Sequence, residues 1–121
     1  MDSPGNINVV RSYGDGGVRV GDITLRRCCV LTARALITDW PPERVEDIGA
    51  QHLAAIFALN PEVVLLGCAG VARPAPKALR LDFTARHIGL ESMELGAACR
   101  TYNVLATEGR RVVAVLFPGK N

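Results

Sequence analysis

Three short stretches of the chain hold residues whose types and spacing could do chemistry. Gly67-Cys68-Ala69-Gly70 sets one thiol between glycines at the end of an apolar run, and Glu91-Ser92-Met93-Glu94 sets a hydroxyl between two carboxylates. Arg100 and Asn103 stand three residues apart, which on a helix places them along one edge. A thiol is a nucleophile only with a base in hydrogen-bond reach. His52 reads as mid-helix, beyond the chain's crossover, and His87 as lying at the far end of a strand, so neither is an obvious base for Cys68. Glu91 and Glu94 suit a helix N-terminus, where negative charge complements the macrodipole. An arginine with backbone donors near Ser92 would instead hold an anion.

Each stretch also has a plain structural reading. Gly67 to Gly70 is a strand-to-loop turn; no Gly-Lys-Ser follows, so it is not a P-loop, and it lacks the GxGxxG of dinucleotide sites. Ser92 caps the next helix through its hydroxyl. Arg100 pairs with Glu91 or Glu94, and Asn103 ties down a loop carbonyl. The candidate ligand or partner surface is therefore Gly67, Cys68, Gly70, Ser92, Arg100 and Asn103, with no catalytic, cofactor or metal residue assigned and no cofactor expected. Adjacent Cys28 and Cys29 point to opposite faces of a strand, which argues against a shared metal or a disulfide framework, and no CxxC occurs.

The elements that must position these residues follow from periodicity. Ile7 to Tyr13 alternates as a strand, Gly14 to Gly17 is a glycine turn, and Gly21-Asp22 closes a two-residue hairpin. Cys28 to Leu31 and Ala35 to Thr38 are short apolar runs that stop at Trp40-Pro41-Pro42. From Val45 the period becomes helical through Ile48, His52, Ile56 and Leu59, with His52 as a half-buried packing residue. Val63 to Leu66 and Val112 to Phe117 are apolar at every position, the mark of strands covered on both faces. Between them lie a helix from about Lys77 to Arg86, a short strand at His87 to Glu91, a turn at Glu91 to Glu94, and a helix from about Met93 to Glu108 capped by Gly109. On that last helix Leu95, Ala98, Tyr102, Leu105 and Ala106 make the apolar face, and Gly96, Arg100, Asn103 and Thr107 make a second stripe. Thr101 to Val104 is a run of poor helix formers that only tertiary contacts would sustain.

The pattern is a β-rich start over about 7–40, then β-α-β-α-β over about 43–117, in one α/β domain spanning 1–121. Hydrophobic residues make up 49% of the 121, enough for a sizeable core, and exclude a disordered chain. Fourteen basic and 12 acidic residues leave a charge of +2 without a basic stripe, which argues against nucleic acid as a partner. No apolar run reaches the length of about 20 residues needed to span a bilayer, and MDSPGN at the start has no leader-like character, so the expected setting is the reducing cytoplasm.

Pro61-Glu62-Val63-Val64-Leu65-Leu66-Gly67-Cys68-Ala69-Gly70, Gly89 to Met93, Ala97-Ala98-Cys99-Arg100-Thr101-Tyr102-Asn103-Val104-Leu105 and Glu108-Gly109-Arg110-Arg111-Val112 together resemble the domain-of-unknown-function family numbered four-nine-eight. The resemblance runs from about Ile7 to Phe117. It implies a three-layer α/β fold, a central mixed β-sheet flanked by helices with an additional N-terminal β layer, and no established catalytic activity. The family includes the mitochondrial complex I (NADH dehydrogenase) assembly factor 3, so it also implies protein partners and transient contact with a membrane complex. The expected function is a non-enzymatic interaction or complex-assembly factor. The alternative is a small-anion or small-molecule binder, or an enzyme, with its site at Gly67 to Gly70 and Arg100.

Overall fold

The computed structural model describes residues 6–119. Three antiparallel strands, β1 (Val10–Gly14), β2 (Gly17–Val20) and β3 (Ile23–Leu25), form one small sheet. Asp15 and Gly16, both at positive φ (53° and 77°), turn β1 into β2, and Gly21 at φ 58° opens the two-residue turn into β3. These are the primed turns that match the twist of a hairpin.

The larger sheet contains β4 (Cys29–Leu31), β5 (Leu36–Ile37), β6 (Val63–Cys68), β7 (Gly89–Glu94) and β8 (Val112–Phe117), in the order β5-β4-β8-β6-β7. β8, β6 and β7 are mutually parallel, while β4 runs antiparallel to both β8 and β5. Both unbroken apolar runs are thus interior strands of one mixed sheet. Their side chains alternate between two cores, as the pleat requires. Val64, Leu66, Cys68, Val113, Val115 and Phe117 face helices α1 (Ala50–Phe57) and α2 (Lys77–Ala85). Leu65, Val112, Ala114 and Leu116 face the other way, toward helix α3 (Leu95–Thr107) and the small sheet, whose Val10, Val18, Val20 and Leu25 complete that core. The result is three layers: α1 and α2, the mixed sheet, then α3 with the extra β layer. Cys28 lies in the first core and Cys29 in the second, so the adjacent thiols do diverge.

Four expected boundaries move. The first strand begins at Val10 and not Ile7, because Asn8 leaves the ladder to bind the β4–β5 turn: its N–H donates to the Ala33 carbonyl, and Nδ2 donates to those of Thr32 and Ala35. The helix read from Val45 is broken into a 3-10 turn over Val45–Asp47 and α1, which starts after Gly49. Glycine is a weak helix former and a good N-cap, and here His52 Nδ1 accepts its N–H at 2.9 Å. Glu91 to Glu94 is not a turn: β7 pairs with β6 through Cys68↔Glu94, and α3 begins at once at Leu95 and not near Met93. No helix among the described residues is long and apolar enough to cross a membrane.

Candidate functional site

α3 packs closely on the mixed sheet on one side and the hairpin on the other because two positions lack a side chain. A Cβ on Gly67 would stand 2.6 Å from the Ala98 Cβ and 3.1 Å from Leu116 Cδ2, well inside contact distance, so this strand glycine sets how closely the helix approaches. Gly96 does the same on the helix's other flank, where a Cβ would meet the Tyr13 ring at 2.7 Å. The run of small residues from Gly96 to Cys99 is therefore consumed by packing on both sides.

The second stripe of α3 is the seat of β1. Asn103 Oδ1 accepts the Val10 N–H at 2.8 Å and its Nδ2 donates to the Val10 carbonyl at 2.9 Å, so one side-chain amide takes the place of a neighbouring strand. One residue earlier, the buried Tyr102 hydroxyl donates to the Asn8 carbonyl at 2.7 Å. These bonds hold the poor helix formers at 101–104 in place, and they satisfy backbone groups that would otherwise be left unpaired at the edge of the small sheet. Arg100 is exposed and donates from Nη1 to the Tyr13 hydroxyl, with its guanidinium 6.0 Å from that ring's centroid. Its partner is thus a tyrosine of the hairpin, in place of the expected Glu91 or Glu94.

Ser92 does not cap α3. It sits mid-strand opposite Leu66, and the cap is Glu94, whose Oε1 accepts the Ala97 N–H at 3.3 Å. The longer carboxylate reaches the helix start because β7 runs straight into it. Cys68 is the last residue of β6 and fully buried, while Gly70, at φ 89°, turns the chain away beyond it. Of the six residues singled out in the sequence, Gly67, Cys68 and Gly70 share the carboxyl end of β6, Ser92 lies one strand over, and Arg100 and Asn103 share the α3 edge under the hairpin.

The thiols are held protonated. Burial pushes Cys29 up to about 12, with the Cys99 thiol adding to it, and Cys99 up to about 12, with Glu94 adding to it. Burial likewise raises Cys28 and Cys68; for Cys68 the backbone N–H and charge of Arg73 act in the opposite sense. A raised pKa leaves little thiolate at neutral pH, the reverse of an activated cysteine.

Sequence reading missed Tyr13, the hairpin's contribution to this edge, and the partner of the Glu-Gly-Arg block. Glu62 accepts from Arg110 Nη2 at 3.1 Å and from the Arg111 N–H at 2.8 Å, which lowers its pKa and ties the entry of β6 to that of β8. Gly109, at φ 80°, makes the turn that brings the arginines there.

The family model described as "Protein of unknown function (DUF498/DUF598)" matches residues 10–117, which takes in both sheets and all three helices. The chain belongs to this family. An uncharacterised protein of Rhodobacter capsulatus is 36% identical over 111 residues, covering 90% of this chain and 83% of that one. NADH dehydrogenase (ubiquinone) 1 alpha subcomplex assembly factor 3 of Danio rerio is 27% identical over 112 residues, which is 91% of this chain and 64% of that protein. Among solved structures, a Xanthomonas campestris protein superposes with a TM-score of 0.87 at 33% identity, covering 98% of this chain and 90% of that one. The stretches around Gly67 and over 97–105 lie within the matched residues, and they are what seats α3 on the sheet and the hairpin on α3.

Proposed function

We propose that this chain is a non-enzymatic protein-interaction factor that helps a multi-subunit complex to assemble. The observation that carries the reading is the extent of similarity to the assembly factor, 91% of this chain, so that the likeness takes in every layer of the fold. A surface suited to docking stands on α3. Tyr13 and Val104 are 42% and 55% exposed, Arg100 bonds the tyrosine, and Val104 follows Arg100 by one helical turn on the same face. Tyrosine and arginine are the side chains that most often anchor interfaces. In this reading Arg100 touches the partner, while Gly67 and Asn103 set the position of the helix and hairpin that present it. The partners are proteins; the chain works in the cytoplasm and touches a membrane complex only in passing.

The test is affinity capture from the native cell under mild crosslinking, with wild type and an Arg100→Glu, Val104→Glu double variant run side by side. A reproducible partner recovered by wild type and lost by the folded variant is the expected result. Equal recovery by both, or no reproducible partner at all, would sink the proposal.

A further inference from the structure

The carboxyl ends of β6 and β8 open into a cavity of about 1010 Å³ that lies apart from the Arg100 edge. Its walls come from four places in the sequence: Gly70, Val71 and Arg73 after β6, Asp15 and Gly16 in the β1–β2 turn, Arg26 after β3, and Pro118 after β8. We infer that this cavity binds a small oxyanion-bearing molecule, a phosphate monoester or a carboxylic acid, with Arg26 and Arg73 holding the anionic head.

Charge is the first reason. Arg27, Arg44, Arg86 and Arg110 each have a carboxylate within 4.0 Å, whereas among the described residues neither Arg26 nor Arg73 has one. Arg26 gives one Nη1–H to the Asp15 carbonyl at 3.1 Å and keeps its other donors. Arg73 Nε is buried with no hydrogen-bond partner, so a charged donor has given up hydration without gaining an acceptor. Two arginines, from segments 47 positions apart in the sequence, thus line one concavity. Planar guanidinium forks match phosphate and carboxylate oxygens in pairs.

Position is the second reason. Ligands of α/β sheets collect beyond the carboxyl ends of parallel strands, and β6 and β8 are parallel neighbours that end here at Cys68↔Phe117. Gly16 and Gly70 hold φ at 77° and 89°, and a Cβ on either would meet nothing within 4 Å, so both turns present bare backbone beside open space. Val71 is an apolar residue 59% exposed on the rim, a surface for the body of a ligand larger than a bare ion. Asp15 is the opposing charge in the lining. Against two arginines it leaves a single net positive charge, which suits a small anion over a polyanion, and its oxygens can accept from a ligand hydroxyl.

The experiment is a nitrogen-15 NMR titration of the full chain with inorganic phosphate and, separately, with succinate, at fixed pH and fixed ionic strength so that general screening does not change. Saturable shifts centred on Asp15, Gly16 and 69–73 are expected for at least one probe. Arg26→Gln and Arg73→Gln should each weaken that binding about tenfold, the loss of a charged hydrogen bond. Arg80→Gln, an exposed change on α2, should leave it unaltered. Shifts that never saturate, that scatter over all surface arginines, or that persist with full affinity in the two cavity variants would overturn the inference. Should Arg73→Gln lose the folded spectrum, the wild-type shift map and Arg26→Gln still decide.

Discussion

Replacing Asn103 by alanine removes the amide that closes the edge of β1. Two hydrogen bonds go, both to Val10, which is itself only 6% exposed. A typical bond contributes about 1 kcal/mol net, and a stranded buried donor or acceptor costs about 1–3 kcal/mol. Asn103 is half-buried, so water reaches part of the gap and the sum settles at about 2–3 kcal/mol. With an unfolding entropy of about 2.1 cal/mol/K per residue over 121 residues, that lowers Tm by about 8–12 °C. Urea and thermal unfolding followed by emission of Trp40, the single tryptophan, gives the assay. Trp40 belongs to the core on the opposite face of the sheet, so a shift in its transition reports global stability and not a local loosening of the hairpin. Asn103→Asp refines the result: the carboxylate still accepts the Val10 N–H but sets an acceptor against the Val10 carbonyl, so it should stay below wild type. If Asn103→Ala unfolds within about 2 °C of wild type and Val10 amide exchange is unchanged, the side chain is not acting as a ladder partner.

Leu65→Ala, in an interior strand and 1% exposed, should cost about 2–5 kcal/mol in urea; a loss well under 1 kcal/mol would place β6 at the periphery. Arg100→Ala should keep its stability within about 1 kcal/mol of wild type, as an exposed change does, while abolishing partner capture; a large stability loss would make Arg100 a folding residue. Cys29 and Cys99 are neutral in the folded state up to about 12 but ionise from their ordinary value of 9.0 once unfolded, so the unfolded chain binds fewer protons between these limits. Stability should therefore be unaffected by these thiols below pH 9 and fall as pH rises from there toward about 12; Cys29→Ala should make that decline shallower, and an equal slope would refute the assignment.

Some elements were legible because their cause is local. Val63 to Leu66 and Val112 to Phe117 are apolar at every position, and only a strand with cores on both faces can place such runs; the structure supplies those cores. Leu79 and Phe83, four apart, are the buried residues of α2, and Gly109 stops α3 with a positive φ. β7 was not legible as far as Glu94. Polar residues fall on both faces of this edge strand, Glu91 on one and Ser92 and Glu94 on the other, and by themselves these read as a turn. Its length is set by the ladder that β6 offers, which continues to the last pair.

The α3 edge shows where local information ends. Periodicity by itself separates Gly96, Arg100 and Asn103 from the apolar face, and propensity alone says that 101–104 needs outside support. Both follow from one residue's relation to the next few. What the second stripe faces is a different kind of fact, because Asn103 and Val10 are 93 residues apart and Arg100 and Tyr13 are 87 apart. No spacing rule reaches across such a gap. The hairpin folds back onto α3 because its apolar face, Val18, Val20 and Leu25, must share a core with Leu95, Ala98 and Tyr102, and that burial is what delivers Val10 to the amide and Tyr13 to the arginine. The same fold-back sets Asp15 and Arg26 beside Arg73, so the cavity, like the seat of β1, was decided by tertiary packing alone.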